Sequence, residues 1–170
     1  MDKQFTLKIK FSGCLIILFS FLLNYSSVSQ KKLDIDIVFG VYVDDHNERT
    51  FKAEERNWIL KNKVLVYHID AHNKRYSDTL KMNAEDINTI IKLIEENKLI
   101  ATINKDLTKD FLDKNGWSSQ IKGKIVYGNK QGTQTIKSNS STALEEDKEY
   151  NNLKKLEDLF YQIIETKRKK

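Results

Sequence analysis

Leu33-Asp-Ile-Asp-Ile-Val-Phe-Gly-Val-Tyr-Val43 is the stretch that decides the fold. Leu33, Ile35, Ile37, Phe39, Val41 and Val43 fall on one side of an extended chain, and Asp34, Asp36, Val38, Gly40 and Tyr42 on the other. Successive side chains of a strand point to opposite faces. This period therefore predicts a long strand with one face in a core and the other mostly wet. Asp44-Asp-His-Asn47 supplies turn formers at its end. Downstream, residues 48–57 are charged and read as loop. A short strand around Trp58-Ile-Leu60 turns through Lys61-Asn-Lys63 into Val64-Leu-Val-Tyr-His-Ile-Asp-Ala71, the second well-marked strand.

The period then changes from two to nearly four. Ile87, Ile90, Ile91 and Ile94 recur at helical spacing, and Asn83 with Asp86 three residues on predicts an N-cap and an acidic first turn. Leu99-Ile-Ala-Thr-Ile103 fits a short strand or a packed loop, and Asn115-Gly116 reads as a turn. Ser119–Tyr127 and Thr133–Ile136 flank Gly128-Asn-Lys-Gln-Gly132, a hairpin pattern. Residues 138–146 read as a polar, mobile loop. Leu153, Leu156, Leu159, Phe160, Ile163 and Ile164 then form the broadest apolar stripe of the chain.

One apolar face per strand and one stripe per helix predict an α+β two-layer sandwich. The expected form is an antiparallel sheet of four or five strands with two helices packed on one face, in ββαββα order. Its two strand–strand–helix units hint at a pseudo-duplication.

Toward the N-terminus the composition changes. Lys3, Lys8 and Lys10 precede the apolar run Cys14–Leu23, and Asn24-Tyr-Ser-Ser-Val-Ser29 brings small polar residues before Gln30. That order predicts a cleavable signal peptide over 1–29 and a single globular α+β domain over 30–170, exported to a periplasmic or secreted space. Phe11-Ser-Gly-Cys14 looks like a lipid-attachment signal, but the apolar run follows this cysteine instead of preceding it. The alternative to cleavage is an N-terminal membrane anchor. Such a span needs about 20 apolar residues, and the strongly apolar run is about half that.

The mature domain has no cysteine, because Cys14 is the only one in the chain. Disulfides, thiol nucleophiles and cysteine-ligated metal sites are excluded. Without the three lysines and one aspartate of residues 1–29, 26 basic side chains face 23 acidic ones, a charge of +3. The basic tail 167–170 alone carries +4, so the body is near neutral and does not read as a nucleic-acid binder. The tail itself reads as a frayed, solvated helix end.

Two sets of residues are candidates for function. His68, Asp70 and His72 project from one face of the second strand, with Asp44 and His46 as further donors. Neighbours at i and i+2 lie roughly 6–7 Å apart and suit one ion, whereas His68 and His72 lie about 13 Å apart and do not. The second set is a surface of Tyr42, Val64 and Val66 with Val38, rimmed by Asp34, Asp36, His68 and Asp70, which has the make-up of a protein-binding face. No serine sits in a Gly-x-Ser-x-Gly elbow, and no spacing sets a carboxylate pair apart for acid–base work. The preferred reading is a non-catalytic binding or interaction module without a cofactor, of the inhibitor or immunity type, with a protein partner. Membrane contact arises only if the N-terminal helix stays uncleaved. The alternative is a metal-binding protein or metal-dependent enzyme centred on His68, Asp70 and His72, with zinc or another divalent ion.

Overall fold

A computed structural model of the chain describes residues 31–44, 50–71, 74–108 and 116–169. The strands are β1 (Leu33–Asp44), β2 (Thr50–Lys61), β3 (Val64–Ala71), β4 (Lys74–Lys81), β5 (Ile103–Asp106), β6 (Trp117–Tyr127) and β7 (Lys130–Ser138). The helices are α1 (Ala84–Glu96), α2 (Ser141–Glu146) and α3 (Lys148–Arg168). All seven strands share one sheet in the order β4-β3-β2-β1-β6-β7-β5. Every neighbouring pair is antiparallel except β5 with β7, which run parallel.

This corrects the expected four or five antiparallel strands with two helices in ββαββα order: among the described residues the sheet is mixed and seven-stranded, with three helices. The pseudo-duplication goes with it. Each missed element has its own physical reason. β4 is an edge strand whose residues are all exposed except half-buried Leu80, so no apolar alternation marks it. β2 begins at Thr50, well inside the stretch read as loop; its charged residues are accommodated in pairs, Lys52 with Glu55 and Arg56 with Glu54 and Glu157. Residues 138–146 are not a loop. Ser138 and Ser140 are buried, Ser138 Oγ donates to Ser140 O at 3.0 Å, and Ser140 caps α2 through the Ala143 amide.

The core forms where the sheet's apolar face meets the helices. Ile35, Ile37 and Phe39 of β1 are buried beside Trp58, Leu60, Leu65, Tyr67, Ile121, Ile125 and Ile136. Ile87, Ile90 and Ile94 of α1 and Leu153, Leu156, Phe160 and Ile164 of α3 close over them. Each such side chain contributes about 1.5–3 kcal/mol relative to exposure. Trp58 is the hub: it stacks on Tyr67 at 5.6 Å and Phe160 at 5.4 Å and meets Tyr161 edge-on at 4.9 Å. α1 starts on a capping box in which Asn83 and Asp86 exchange side-chain–backbone bonds of 2.8 Å. The β2–β3 hairpin turns at Asn62 and Lys63, both at positive φ, a conformation suited to the twist of the strands.

The basic end of α3 is docked instead of frayed. Lys167 Nζ pairs with Asp86 at 2.8 Å. Arg168 donates to Tyr67 Oη at 3.1 Å and lies 4.6 Å from the centre of the Tyr76 ring. Two of the four tail cations thus tie the last turn of α3 to α1 and to the β3–β4 edge.

Candidate functional site

Both long helices cover the same face of the sheet, so among the described residues no helix covers the other. The register fixes what this open face presents. Val66 lies opposite Ile59, Ile59 opposite Asp36, and Asp36 opposite Lys124; one row along, His68, Asn57, Val38 and Lys122 are consecutive neighbours. Val38, Ile59, Val64 and Val66 are half-buried and form a contiguous branched block on three strands. Asp36, His68, Lys122 and Lys124 are exposed around it. Tyr42 shares the face, half-buried, with its ring laid back over Gly40: a Cβ on that glycine would come within 2.7 Å of Tyr42 Cε2.

The face also holds acceptors without donors. Asp34 Oδ1 and Asn57 Oδ1 are buried and have no hydrogen-bond partner among the described residues. Asp34 uses its other oxygen for Lys32 at 2.6 Å. An unsatisfied buried acceptor costs about 1–3 kcal/mol, and a donor brought by another molecule would relieve it. Asn57 was hidden in the sequence because it ends the charged stretch 48–57 that reads as loop, and Ile59 because the strand read around it is too short to show its face; β2 is also irregular farther back. Val41 pairs with Glu54 but Tyr42 with Lys52, so Ala53 is an extra, bulged residue.

Two of the three metal-candidate residues lie among the described residues. His68 and Asp70 do project from one face of β3, while His72 lies outside the described residues, as do His46 and the side chain of Asp44. Nδ1 of His68 is 2.8 Å from Ser77 Oγ. Asp70 Oδ2 is held by Arg75 Nε at 3.4 Å and Lys52 Nζ at 3.6 Å. A cation approaching Asp70 would meet two positive charges first. Among the described residues no group of three His, Cys, Asp or Glu side chains is placed to hold an ion.

Among the described residues the one fully enclosed carboxylate is on the helix side. Glu157 of α3 has no exposed surface and accepts from Arg56 Nε at 2.8 Å, Trp58 Nε1 at 3.1 Å and Lys154 Nζ at 2.5 Å. Burial works against the Arg56 charge, but Glu157, through its charge and its hydrogen bond, reverses that and raises the guanidinium above its ordinary pKa. Arg56 also holds Glu54 at 3.0 Å. Burial raises the phenols of Tyr150 and Tyr161 beside this cluster. Both Glu157 oxygens are engaged and none reaches solvent, so the group has no surface for a substrate. It is a clamp between α3 and β2. The sequence carried a faint signal of it: Glu157 lies one residue after Leu156 and three before Phe160, at the margin of the buried stripe.

No protein-family model matches the chain, and no curated protein matches it in sequence.

Proposed function

We propose that this chain is an exported, non-catalytic binding module that presents the open face of its sheet to a protein partner, in the manner of an inhibitor or immunity-type protein. The observation that carries the reading is the half-buried block of Val38, Ile59, Val64 and Val66, bordered by charges of both signs and by two buried acceptors without donors. An apolar centre with a polar rim is the usual anatomy of a recognition patch. The strand-borne surface favours a partner that lays down an apolar face with N–H or ammonium donors at its margin. Export rests on the basic, apolar, small-residue order of residues 1–29. The metal reading has less support, because Lys52 and Arg75 already occupy Asp70.

Site-specific photo-crosslinking in the native host tests the proposal. A photoreactive residue at Val38 or Val66 should give one discrete protein adduct recovered with the envelope fraction. The same group at Lys92 or Glu165, on exposed helix surface, should give none. Adducts from the helix positions alone, or from no position, contradict it.

A further inference from the structure

A second feature lies in the helix layer, away from the open face. The end of α1, the segment leading into β5 and the first turns of α3 enclose a cleft of about 560 Å³. That volume falls within the range of small-molecule sites, roughly 300–1,000 Å³. Its apolar wall includes buried Leu99 and Ile103. Its polar wall is unevenly charged. The lining carboxylates are already tied, Glu149 to Lys105 at 2.5 Å and Glu96 to Lys92 at 3.9 Å. The ammonium groups of Lys98 and Lys148 have no such partner among the described residues. Among the described residues Lys155 bonds only neutral amides, Asn152 Oδ1 at 3.1 Å and Asn97 Oδ1 at 3.4 Å. Asn152 is itself 7 % exposed and reaches Asn97 O at 3.5 Å, which fixes the floor on which Lys155 stands. Lys98 holds φ at 55°, a left-handed position that glycine usually takes just after a helix, and this residue keeps a charged side chain at the cleft.

We propose that this cleft binds a small organic dianion, its oxyanion held by Lys98, Lys148 and Lys155 and its apolar part resting on Leu99 and Ile103. Three cations without carboxylate partners beside an apolar wall match a ligand with a charged head and a short hydrocarbon body. A phosphate monoester and an aromatic dicarboxylate share that chemistry.

Titration of the purified protein with phenyl phosphate, phthalate and inorganic phosphate at low ionic strength, followed by amide chemical shifts, tests the assignment. Saturable shifts confined to residues 97–105 and 148–155 are expected with at least one of the two organic anions, and whichever binds more tightly identifies the head group. That anion should bind about tenfold more tightly than inorganic phosphate, because only it uses the apolar wall. Lys98→Gln and Lys155→Gln should each weaken it about tenfold, as loss of one charge-assisted contact does. Lys122→Gln on the open sheet face should leave it unchanged. Non-saturating shifts, shifts spread over all lysine-rich surfaces, equal affinity for inorganic phosphate, or unaltered affinity in the Lys98 and Lys155 variants would overturn the proposal.

Discussion

Replacing Glu157 with Ala removes the acceptor for three donors at once while leaving the donors in place. The Arg56 side chain is only 21 % exposed, and the Trp58 indole is fully enclosed. Breaking a buried ion pair by deleting one partner costs about 3–5 kcal/mol. Here the lower end applies: Arg56 keeps Glu54 at 3.0 Å, and Lys154, at 38 % exposure, can turn to water. The expected loss is therefore about 3 kcal/mol, enough to lower the melting temperature of a domain of this size by about 10 °C. Glu157→Gln keeps the shape and one acceptor and should lose less, about 1.5–3 kcal/mol. The paired change Arg56→Leu with Glu157→Leu removes both charges from a site walled by Trp58, Tyr150 and Tyr161. It should come out more stable than either single Leu variant, because the remaining penalty is chiefly the unpaired indole N–H. Urea unfolding followed by tryptophan fluorescence gives the stabilities of all five variants. A Glu157→Ala protein within about 1 kcal/mol of the parent, or a double variant as weak as the sum of its singles, would refute the clamp.

Gly132→Ala should destabilise by at least about 1–3 kcal/mol, since the new methyl would lie 2.2 Å from Ile100 O and 2.4 Å from its carbonyl carbon. The three atoms nearest a Gly40→Ala methyl all belong to the movable Tyr42 ring, so this change should cost less than Gly132→Ala; chemical melts that rank the two the other way would sink the packing argument. Arg168→Ala, which removes an exposed cation–π contact and the bond to Tyr67, should cost about 1 kcal/mol, against no change for a solvated tail. Tyr150 and Tyr161 titrate above the ordinary 10.0 because burial disfavours the phenolate. The unfolded chain ionises first, so the stability these groups contribute is present below about pH 10 and is lost as pH rises through their folded values. Absorbance at 295 nm, compared between the parent and its Tyr150→Phe and Tyr161→Phe variants, should place both phenols above 10.0; either one ionising at or below that value in folded protein would contradict this.

The sequence was most readable where one face of an element is buried and the other wet. β1 and α3 meet that condition over 12 and 21 residues, and their alternation and stripe name the buried side chains directly. It was least readable where polar residues sit inside or where nothing is inside. Glu54 and Arg56 share the helix side of β2 with Trp58, and charges in that position imitate loop until the long-range partner Glu157 is known. β4 lies at an edge with both faces exposed, so it carries no period at all. β5 has four residues and pairs with a strand some thirty positions away, a contact no local pattern encodes. The candidate surface was half-legible for the same reason. Tyr42, Val64 and Val66 sit in alternating strands, whereas Asn57 ends the charged stretch 48–57 and the strand read around Ile59 is too short to show its face.

The central claim, that the open sheet face is the binding surface, is tested most directly by the affinity of Val66→Lys and Ile59→Lys proteins for the partner captured by crosslinking. Both positions are half-buried on a face that no described helix covers, so each variant should melt close to the parent. Each should nevertheless bind the partner at least about thirtyfold more weakly, as loss of a central contact does. Undiminished affinity in both variants, with binding lost instead when helix-side Leu159 is replaced, would show that the partner docks on the helix layer and that the account has the wrong face.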